Sequence, residues 1–298
     1  MTATGDDASI AVMDVATTAP PFSLAAPAVQ TAPLVFSSAH SGSDYTADFL
    51  AGSRLDALPL RRSEDFAVDR LFAAAPDHGA PLLRAHFPRA YCDANREAWE
   101  LDPEMFEDLL PPWVNTASAR IGAGLGTVPR IVASGEAIYA RKLRFAEAEA
   151  RISGCWEPYH ATLSHVVAET RARFGACLLI DCHSMPSTIG LATPDFVLGD
   201  AYGTSCGSGT MTRIEDCLRR LGYSVRRNDP YAGGYVTRHY GRPRDGVHAV
   251  QIEIARRLYM DERRIETHGG FARLHRNMTD LIAFLAADEL LLPPASLS

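Results

Sequence analysis

The stretch "ACLLIDCHS", residues 176–184, decides the fold of this sequence. It contains no polar side chain from Ala176 to Ile180 and then reaches Asp181 and His183. A short apolar run of this kind is typical of a central strand that is covered on both faces. We therefore predict a buried strand that carries polar groups at its carboxyl end.

Similar apolar runs alternate with helical patterns along most of the chain. The predicted strands are "PLVFSSA" (33–39), "DFVLGD" (195–200), "YSVRRN" (223–228) and "GVHAVQIEIA" (246–255). The predicted helices cover 64–75, about 141–173, 210–222 and about 270–291, and Pro158 must kink or divide the second of them. Strands that alternate with helices predict an α/β sheet with helices on both faces.

Length and composition favour one ordinary globular domain preceded by a tail. The chain has 298 residues, of which 47% are hydrophobic and 22% charged, so it can bury a large core. Residues 1–30 are rich in Ala, Thr and Pro and have little periodicity, which predicts a flexible or loosely docked tail. We predict that residues 31–298 form a single domain.

Several classes of protein are disfavoured by the same composition. No run approaches eighteen apolar residues, and the N-terminus lacks a basic region, so neither a membrane span nor a signal peptide is expected. The six cysteines form no CxxC pair, which favours reduced thiols and a cytoplasmic location. The net charge of -7 argues against nucleic acid as a partner, although a locally basic pocket could still bind a small anion.

Polar residues mark the ends of three predicted strands. His40 follows the first, Asp181 and His183 end the central one, and Glu253 lies in the last, on the face opposite Ile252 and Ile254. Active sites of open α/β sheets lie at the carboxyl ends of the strands. A carboxylate within an apolar strand also costs free energy unless it has a partner. These residues are therefore the candidates for chemistry.

Taken one at a time, these residues have simpler explanations. A histidine at a strand end can be hydrogen-bonded packing, and a glutamate on the polar face of a strand can be solvated. Two histidines and an acid are nevertheless the set that a catalytic zinc requires. The local signatures HExxH and CxxC are both absent, so spacing alone leaves packing and metal binding open.

Two further segments could line a pocket. In "FPRAYCDANRE" (87–97), Arg89, Asn95 and Arg96 could clamp a carboxylate, or could form ion pairs in a surface loop. The segment "NDPYAGGYVTRHYG" (228–241), which includes Tyr235, could be a pocket rim or an ordinary glycine-rich turn. A thiol nucleophile at Cys182 is disfavoured, because adjacent residues on a strand point to opposite faces.

Seven segments, in chain order, together resemble the N-formylglutamate amidohydrolase family. They are "SSAHSGSDY", "SEDFAVDRLF", "FPRAYCDANRE", "LLIDCHSMPS", "DFVLGDAYGTSC", "NDPYAGGYVTRHYG" and "VQIEIARRLYMDE", and the resemblance extends from Pro33 to about Glu262. It implies a mixed, mostly parallel sheet flanked by helices on both faces, as in zinc carboxypeptidases and aspartoacylase-like deacylases.

The resemblance also implies roles for individual residues. One Zn²⁺ per chain would be held by His40, Asp65 and His183. Glu64, next to Asp65, is the alternative third ligand, since Ser43 stands where the HxxE motif of the carboxypeptidases has its glutamate. Glu253 would be the general base and then the general acid, and Arg89 would hold the oxyanion. The substrate carboxylate would bind Asn95 and Arg96, with Tyr235 as a further substrate contact.

The implied reaction is the hydrolysis of N-formyl-L-glutamate to formate and L-glutamate, a step of histidine breakdown. Two alternatives remain from the residues themselves. One is an amidohydrolase for another small anionic N-acyl amino acid, and the other is a non-catalytic zinc or ligand-binding relative. Glu253 argues against the second, because binding alone does not require a buried base. The sequence does not indicate an oligomeric state.

Overall fold

The structure is a computed structural model that describes residues 20–187 and 193–287. Seven strands within these ranges form the main sheet, and two more form a small antiparallel pair. The strands are Phe22–Ala25 (β1), Leu34–Ser38 (β2), Leu82–Ala85 (β3), Cys177–Met185 (β4), Phe196–Gly199 (β5), Val225–Arg227 (β6), Val247–Ala255 (β7), Met260–Asp261 (β8) and Glu266–Thr267 (β9).

The helices vary widely in length. They are Ala47–Gly52 (α1), Ala57–Arg61 (α2), Val68–Leu71 (α3), Ala119–Gly122 (α4), Phe145–Arg151 (α5), Glu157–Phe174 (α6), Ser208–Arg220 (α7), Tyr235–Tyr240 (α8) and Gly270–Ala287 (α9). No helix in the described ranges is long and apolar enough to cross a membrane.

The main sheet has the strand order β1–β3–β2–β4–β7–β5–β6. β3, β2, β4 and β7 are mutually parallel, whereas β1 runs antiparallel to β3 and β5 runs antiparallel to β7. The expected mixed, mostly parallel sheet is therefore confirmed. β4 occupies the centre, and all nine of its residues are buried, as the apolar run predicts.

Helices cover both faces of this sheet. Alternate residues of β4, including Ile180 and Cys182, pack with α3, α7 and α9 in the larger hydrophobic cluster. Cys177 and Leu179 point to the other face and pack with α6 and α8. This alternation follows from the two-residue period of a strand. It places Asp181 and His183 on the same face as Cys177 and Leu179, opposite the larger cluster.

Part of the predicted tail is a strand. Residues 1–19 lie outside the described part of the chain, but residues 22–25 form β1, an edge strand paired with β3. Phe22 supplies a reason, because its partly buried ring packs edge-on against Tyr159 of α6. This ring contact and the strand pairing hold a segment whose composition resembles a linker.

Two predicted helices are shorter or more divided than expected. The helix predicted over 64–75 forms only at α3, because Ala67 immediately before it is left-handed (φ 59°). The helix predicted over 141–173 is α5, a π-helical turn at Ile152–Trp156, and α6. Pro158 lies in the first turn of α6, where its missing N–H leaves no hydrogen bond unmade. The predicted end of the last helix, near residue 291, lies outside the described residues.

A long irregular segment, residues 86–144, connects β3 to α5 and contributes to two small hydrophobic clusters, one shared with α5 and one with α1 and α2. The sequence pattern predicts no elements here, because the segment has only short turns of helix. It supplies Arg89, Asn95 and Arg96 to the region of the strand ends.

We predict that Gly42→Ala destabilises the fold. A Cβ atom at Gly42 would overlap the backbone carbonyl oxygens of His86 and Phe87, which cannot move as a flexible side chain can. We expect a loss of about 1–3 kcal/mol in the free energy of unfolding, measured by urea denaturation. Gly52→Ala is the control, since nothing lies within 4 Å of its Cβ position, and it should change stability by less than about 0.5 kcal/mol. Equal effects would contradict the prediction.

Candidate metal centre and substrate cavity

A cavity of about 560 Å³ opens at the carboxyl ends of the parallel strands. β2 leads to His40, β4 carries His183, and β7 carries Glu253. His183 and Glu253 are direct partners in the parallel register of β4 and β7, so their side chains lie next to each other on one face of the sheet. The three strand ends singled out by the sequence therefore meet in one cavity.

Three buried side chains in this cavity form a group that could hold a metal ion. One ligand atom from each of His40, Asp65 and His183 lies within 4.8 Å of the others. Asp65 Oδ2 lies 3.3 Å from His40 Nδ1 and 2.8 Å from His183 Nδ1. Two imidazole nitrogens and one carboxylate oxygen are a donor set that zinc uses in catalytic sites.

The far nitrogen of each histidine is held by a second carboxylate. His40 Nε2 donates a hydrogen bond to Asp93 Oδ1 (2.7 Å), and His183 Nε2 lies 2.9 Å from Asp181 Oδ1 and 3.0 Å from Asn95 Nδ2. Such partners fix the ring orientation and turn Nδ1 of each ring toward Asp65. His40 Nδ1 is buried and has no hydrogen-bond partner among the described residues, which is the condition expected of a ligand atom. The residues present thus fit a metal ion.

Asp65 is also held from its other side. Its Oδ1 accepts hydrogen bonds from Ser184 Oγ (3.1 Å) and Arg256 Nη2 (3.3 Å). Burial alone would raise the pKa of Asp65, but the hydrogen bond with His183 and the neighbouring imidazole of His40 hold that pKa well below the usual range. Asp65 therefore stays a carboxylate, the form in which it can bind a cation.

Arg256 is a structural anchor that sequence reasoning missed. Its Nη2 also donates to the backbone carbonyl of Glu64, its Nη1 to that of Arg62, and its Nε to Ser184 Oγ. These bonds fasten the segment before Asp65 to the ends of β4 and β7. The available signal was an arginine directly after a buried strand, a position where an unpaired charge would be costly.

The adjacent acids Glu64 and Asp65 have different partners. The carboxylate of Glu64 accepts both hydrogen bonds from the guanidinium of Arg61, at 3.0 and 3.2 Å, and it is not part of the group with the histidines. Ser43 is exposed. Asp65 is thus the acid that the fold places beside His40 and His183.

Glu253 is buried beside the metal-binding group. One of its carboxylate oxygens accepts a hydrogen bond, and the other has no partner among the described residues. Its Oε1 accepts a hydrogen bond from Gln251 Nε2 (2.8 Å), while Oε2 has no partner among the described residues. Burial raises the pKa of Glu253 to about 7, opposed by the positive charge of His183 and reinforced by Asp65. A carboxylate with this pKa can accept and release a proton near neutral pH.

Gln251 connects Glu253 to the glycine-rich segment. Its Oε1 accepts a hydrogen bond from the backbone N–H of Gly234 (2.8 Å). A Cβ atom at Gly234 would overlap the side chain of Asn95, so only glycine fits here. The sequence missed this role of Gln251, although its position on the same strand face as Glu253 was the available signal.

Arg89, Asn95 and Arg96 all line the cavity. Arg89 Nη2 donates to Asp93 Oδ2 (2.9 Å), and Arg96 Nη2 lies 3.9 Å from the same oxygen. The side chain of Asn95 is already engaged, since its Oδ1 accepts from Val236 N and its Nδ2 lies 3.3 Å from Asp181 Oδ2. Asn95 therefore braces the partner of His183.

Tyr235 is the candidate that the structure does not bring to the site. It is absent from the lining of the cavity, and its ring stacks on His239 and packs against Trp156 and His160. The reason is the short helix α8, which begins at Tyr235 and turns this side chain toward the π-helical turn and α6. Cys182, as expected, points into the apolar core on the opposite face from His183.

The sequence of this chain is similar to those of known proteins of one family. The family model described as N-formylglutamate amidohydrolase matches residues 32–260. An N-formylglutamate deformylase of Pseudomonas aeruginosa is 35% identical over 238 residues, which cover 77% of this chain and 83% of that protein. A second, from Pseudomonas putida, is 32% identical and covers 77% and 82%.

Two solved structures are also similar to this chain. The crystal structure of N-formylglutamate amidohydrolase from Ralstonia eutropha JMP134 is 40% identical, with a TM-score of 0.85 over 90% of this chain and 98% of that one. A gene product of Agrobacterium tumefaciens, 20% identical, has a TM-score of 0.56 over 89% and 94%, which shows a shared fold.

We predict that Asp65→Asn lowers the divalent metal content of the purified protein, because a neutral amide oxygen is a weaker ligand than a carboxylate. Metal content per chain, measured by inductively coupled plasma mass spectrometry, should fall severalfold. Glu64→Gln is the matched control, as it removes the neighbouring charge but leaves the group of His40, Asp65 and His183 intact. Equal metal loss in both variants, or loss only in Glu64→Gln, would contradict the assignment.

Proposed function

This chain belongs to the N-formylglutamate amidohydrolase family, and from that premise we propose that it hydrolyses N-formyl-L-glutamate to formate and L-glutamate with Zn²⁺ as cofactor. The observation that carries the proposal is the free Oε2 of buried Glu253, next to the group of His40, Asp65 and His183. We further propose that the reaction serves histidine breakdown in the cytoplasm, as the resemblance implies.

The metal would be held by His40 Nδ1, Asp65 Oδ2 and His183 Nδ1. When bound, Zn²⁺ supplies Lewis-acid polarisation of the formyl carbonyl and lowers the pKa of water. The carboxylates of Asp93 and Asp181 keep the two imidazole rings oriented with Nδ1 toward the cavity. Each imidazole thus has two carboxylate neighbours, Asp65 and either Asp93 or Asp181.

Glu253 is the proposed general base and then the general acid. Its free Oε2 accepts a proton from the attacking water, and the same oxygen later delivers that proton to the nitrogen of the leaving amine. The hydrogen bond from Gln251 fixes the carboxylate so that Oε2, rather than Oε1, faces the reaction. The pKa of about 7 lets both transfers occur without a large free-energy difference.

Arg89 and Arg96 are the proposed anion-binding groups. Apart from the bond from Nη2 to Asp93, the guanidinium of Arg89 has no hydrogen bond within residues 20–187 and 193–287, so its other donors can hold the oxyanion. Arg96 Nε and Nη1 are anchored on the carbonyls of Leu125 and Asn95. Its Nη2 is then available for the carboxylate next to the scissile amide, while Asn95 fixes the adjacent backbone.

An enzyme for another N-acyl amino acid is the main alternative, because the same groups recognise any amide with a neighbouring carboxylate. A non-catalytic relative is the second. A buried carboxylate held by one oxygen, with the other free in a cavity, serves no evident purpose in a protein that only binds a ligand. It therefore supports catalysis.

We predict that Glu253→Gln abolishes most turnover and keeps the metal. The amide cannot accept a proton, so kcat should fall by roughly 10²–10⁴-fold, while metal content stays at the wild-type level. Glu266→Gln is the matched control, since Glu266 is exposed on β9. Retention of full activity in Glu253→Gln, measured by formate release, would remove Glu253 from the mechanism.

We also predict the acyl preference of the wild-type enzyme. The value of kcat/KM for N-formyl-L-glutamate should exceed those for N-acetyl-L-glutamate and N-formimino-L-glutamate, each measured by release of L-glutamate. The metal-free protein, prepared with a chelator, should be inactive and regain activity with Zn²⁺. A higher kcat/KM for the acetyl compound would favour the alternative amidohydrolase.

A further inference from the structure

Three guanidinium groups line the part of the cavity built by residues 86–144. They belong to Arg89, Arg96 and Arg120. The carboxylate within ion-pair distance of the first two is Asp93, which already accepts hydrogen bonds from His40 and the backbone N–H of Asn95. The charge of Glu100 also acts on Arg96, but two carboxylates are still fewer than three arginines, so this side of the cavity carries surplus positive charge.

Arg120 is the unpaired member of this set. Its side chain has no hydrogen-bond or ion-pair partner within the described ranges, and it is only partly buried. Its backbone is nevertheless fixed, because the carbonyl oxygen of Arg120 accepts hydrogen bonds from the N–H groups of Ala123 and Leu125. The carbonyl oxygen of Leu125 in turn accepts a hydrogen bond from Arg96 Nε. The short loop 120–125 therefore connects the backbone of Arg120 to the side chain of Arg96.

Contacts with Asp93 relate the three arginines to the metal-binding group. Asp93 Oδ1 lies 2.7 Å from His40 Nε2, and its Oδ2 lies 2.9 Å from Arg89 Nη2 and 3.9 Å from Arg96 Nη2. Arg120 makes no ion pair with Asp93 among the described residues, although its charge acts on Arg96. Arg89 and Arg96 therefore adjoin the metal-binding group through Asp93, and Arg120 adjoins Arg96 on the cavity wall.

This order matches the layout of the proposed substrate. In N-formylglutamate, the carboxylate next to the scissile amide is separated from the side-chain carboxylate by a flexible chain of methylene groups. Arg89 and Arg96 are assigned to the oxyanion and the nearer carboxylate. A second anion farther from the amide requires a third cation, and Arg120 lines the cavity beside Arg96 without a partner among the described residues.

We propose that Arg120 binds the side-chain carboxylate of the substrate and sets the preference for N-acyl derivatives of acidic amino acids over neutral ones. This inference rests on the proposed function and deepens it. Arg238 is the rival cation on the rim of the cavity, but it is exposed and its Nε is engaged with the carbonyl of Gly233.

The test compares N-formyl-L-glutamate with N-formyl-L-glutamine, which has nearly the same shape but a neutral side chain. We expect Arg120→Gln to lower kcat/KM for the glutamate compound by roughly 10–150-fold, the range of a charge-assisted hydrogen bond. The value for the glutamine compound should change by less than about threefold, as expected when the lost interaction is with the carboxylate alone. Arg120→Lys, which keeps the charge, should retain part of the preference.

Three results would overturn the inference. They are equal losses on both substrates in Arg120→Gln, an unchanged preference in that variant, or a preference lost in Arg238→Gln and kept in Arg120→Gln. A purely structural role for Arg120 would reduce activity on both substrates together and lower the melting temperature.

The proposed reaction and the proposed role of Arg120 are tested by different measurements. If the wild-type protein releases no formate from N-formyl-L-glutamate, the proposed function fails. Isothermal titration with L-glutamate and L-glutamine, to wild-type protein and Arg120→Gln, then decides the inference. A wild-type preference for L-glutamate that disappears in Arg120→Gln supports it, and equal affinities in the wild type overturn it.

Discussion

The parallel pairing of β4 with β7 over nine residues is the constraint on which the rest of the site depends. This register places His183 opposite Glu253 and Asp181 opposite Gln251, all on one face. A slip by one residue would turn every one of these side chains into the apolar core on the other face. Ile180, Cys182, Ile252 and Ile254 oppose such a slip, because they would then have to leave that core.

The charges gathered around these strands explain why so much of the chain is committed to holding the site. Asp65, Asp93, Asp181 and Glu253 are all buried, and so is Arg256, while Arg89 is partly exposed. Guanidinium groups lie within ion-pair distance of Asp65 and Asp93 but not, within the described ranges, of Asp181 or Glu253, and an unbalanced buried charge is expensive. A divalent cation between His40, Asp65 and His183 would place positive charge beside these two carboxylates with both imidazoles neutral. The raised pKa of Glu253 is the other way in which the site reduces its negative charge.

The sequence could predict the strand ends but not the connections between them. Apolar runs that stop at polar residues identified His40, His183 and Glu253, since strands and their carboxyl ends follow from local pattern. The roles of Arg256 and Gln251 depend on contacts with residues far away in the chain, which no local period encodes. The same limit explains β1, whose place is set by pairing with β3, and Tyr235, whose direction depends on where the short helix α8 begins. Residues 86–144 lack any period because they are shaped by small clusters and turns.

The absence of a local metal motif has a physical consequence for this protein. The acid that lies beside the two histidines comes not from the strand end that leads to His40, where Ser43 is exposed, but from a turn that Arg256 fastens to β4 and β7. Asp65 and His183 are 118 residues apart along the chain, so the unfolded chain presents no preformed pair of ligands. Any metal that binds the three residues therefore stabilises the paired strands, the turn and the arginine together. Metal affinity and the stability of the carboxyl ends of β4 and β7 are therefore thermodynamically linked. Arg256, which holds the turn before Asp65, would contribute to both.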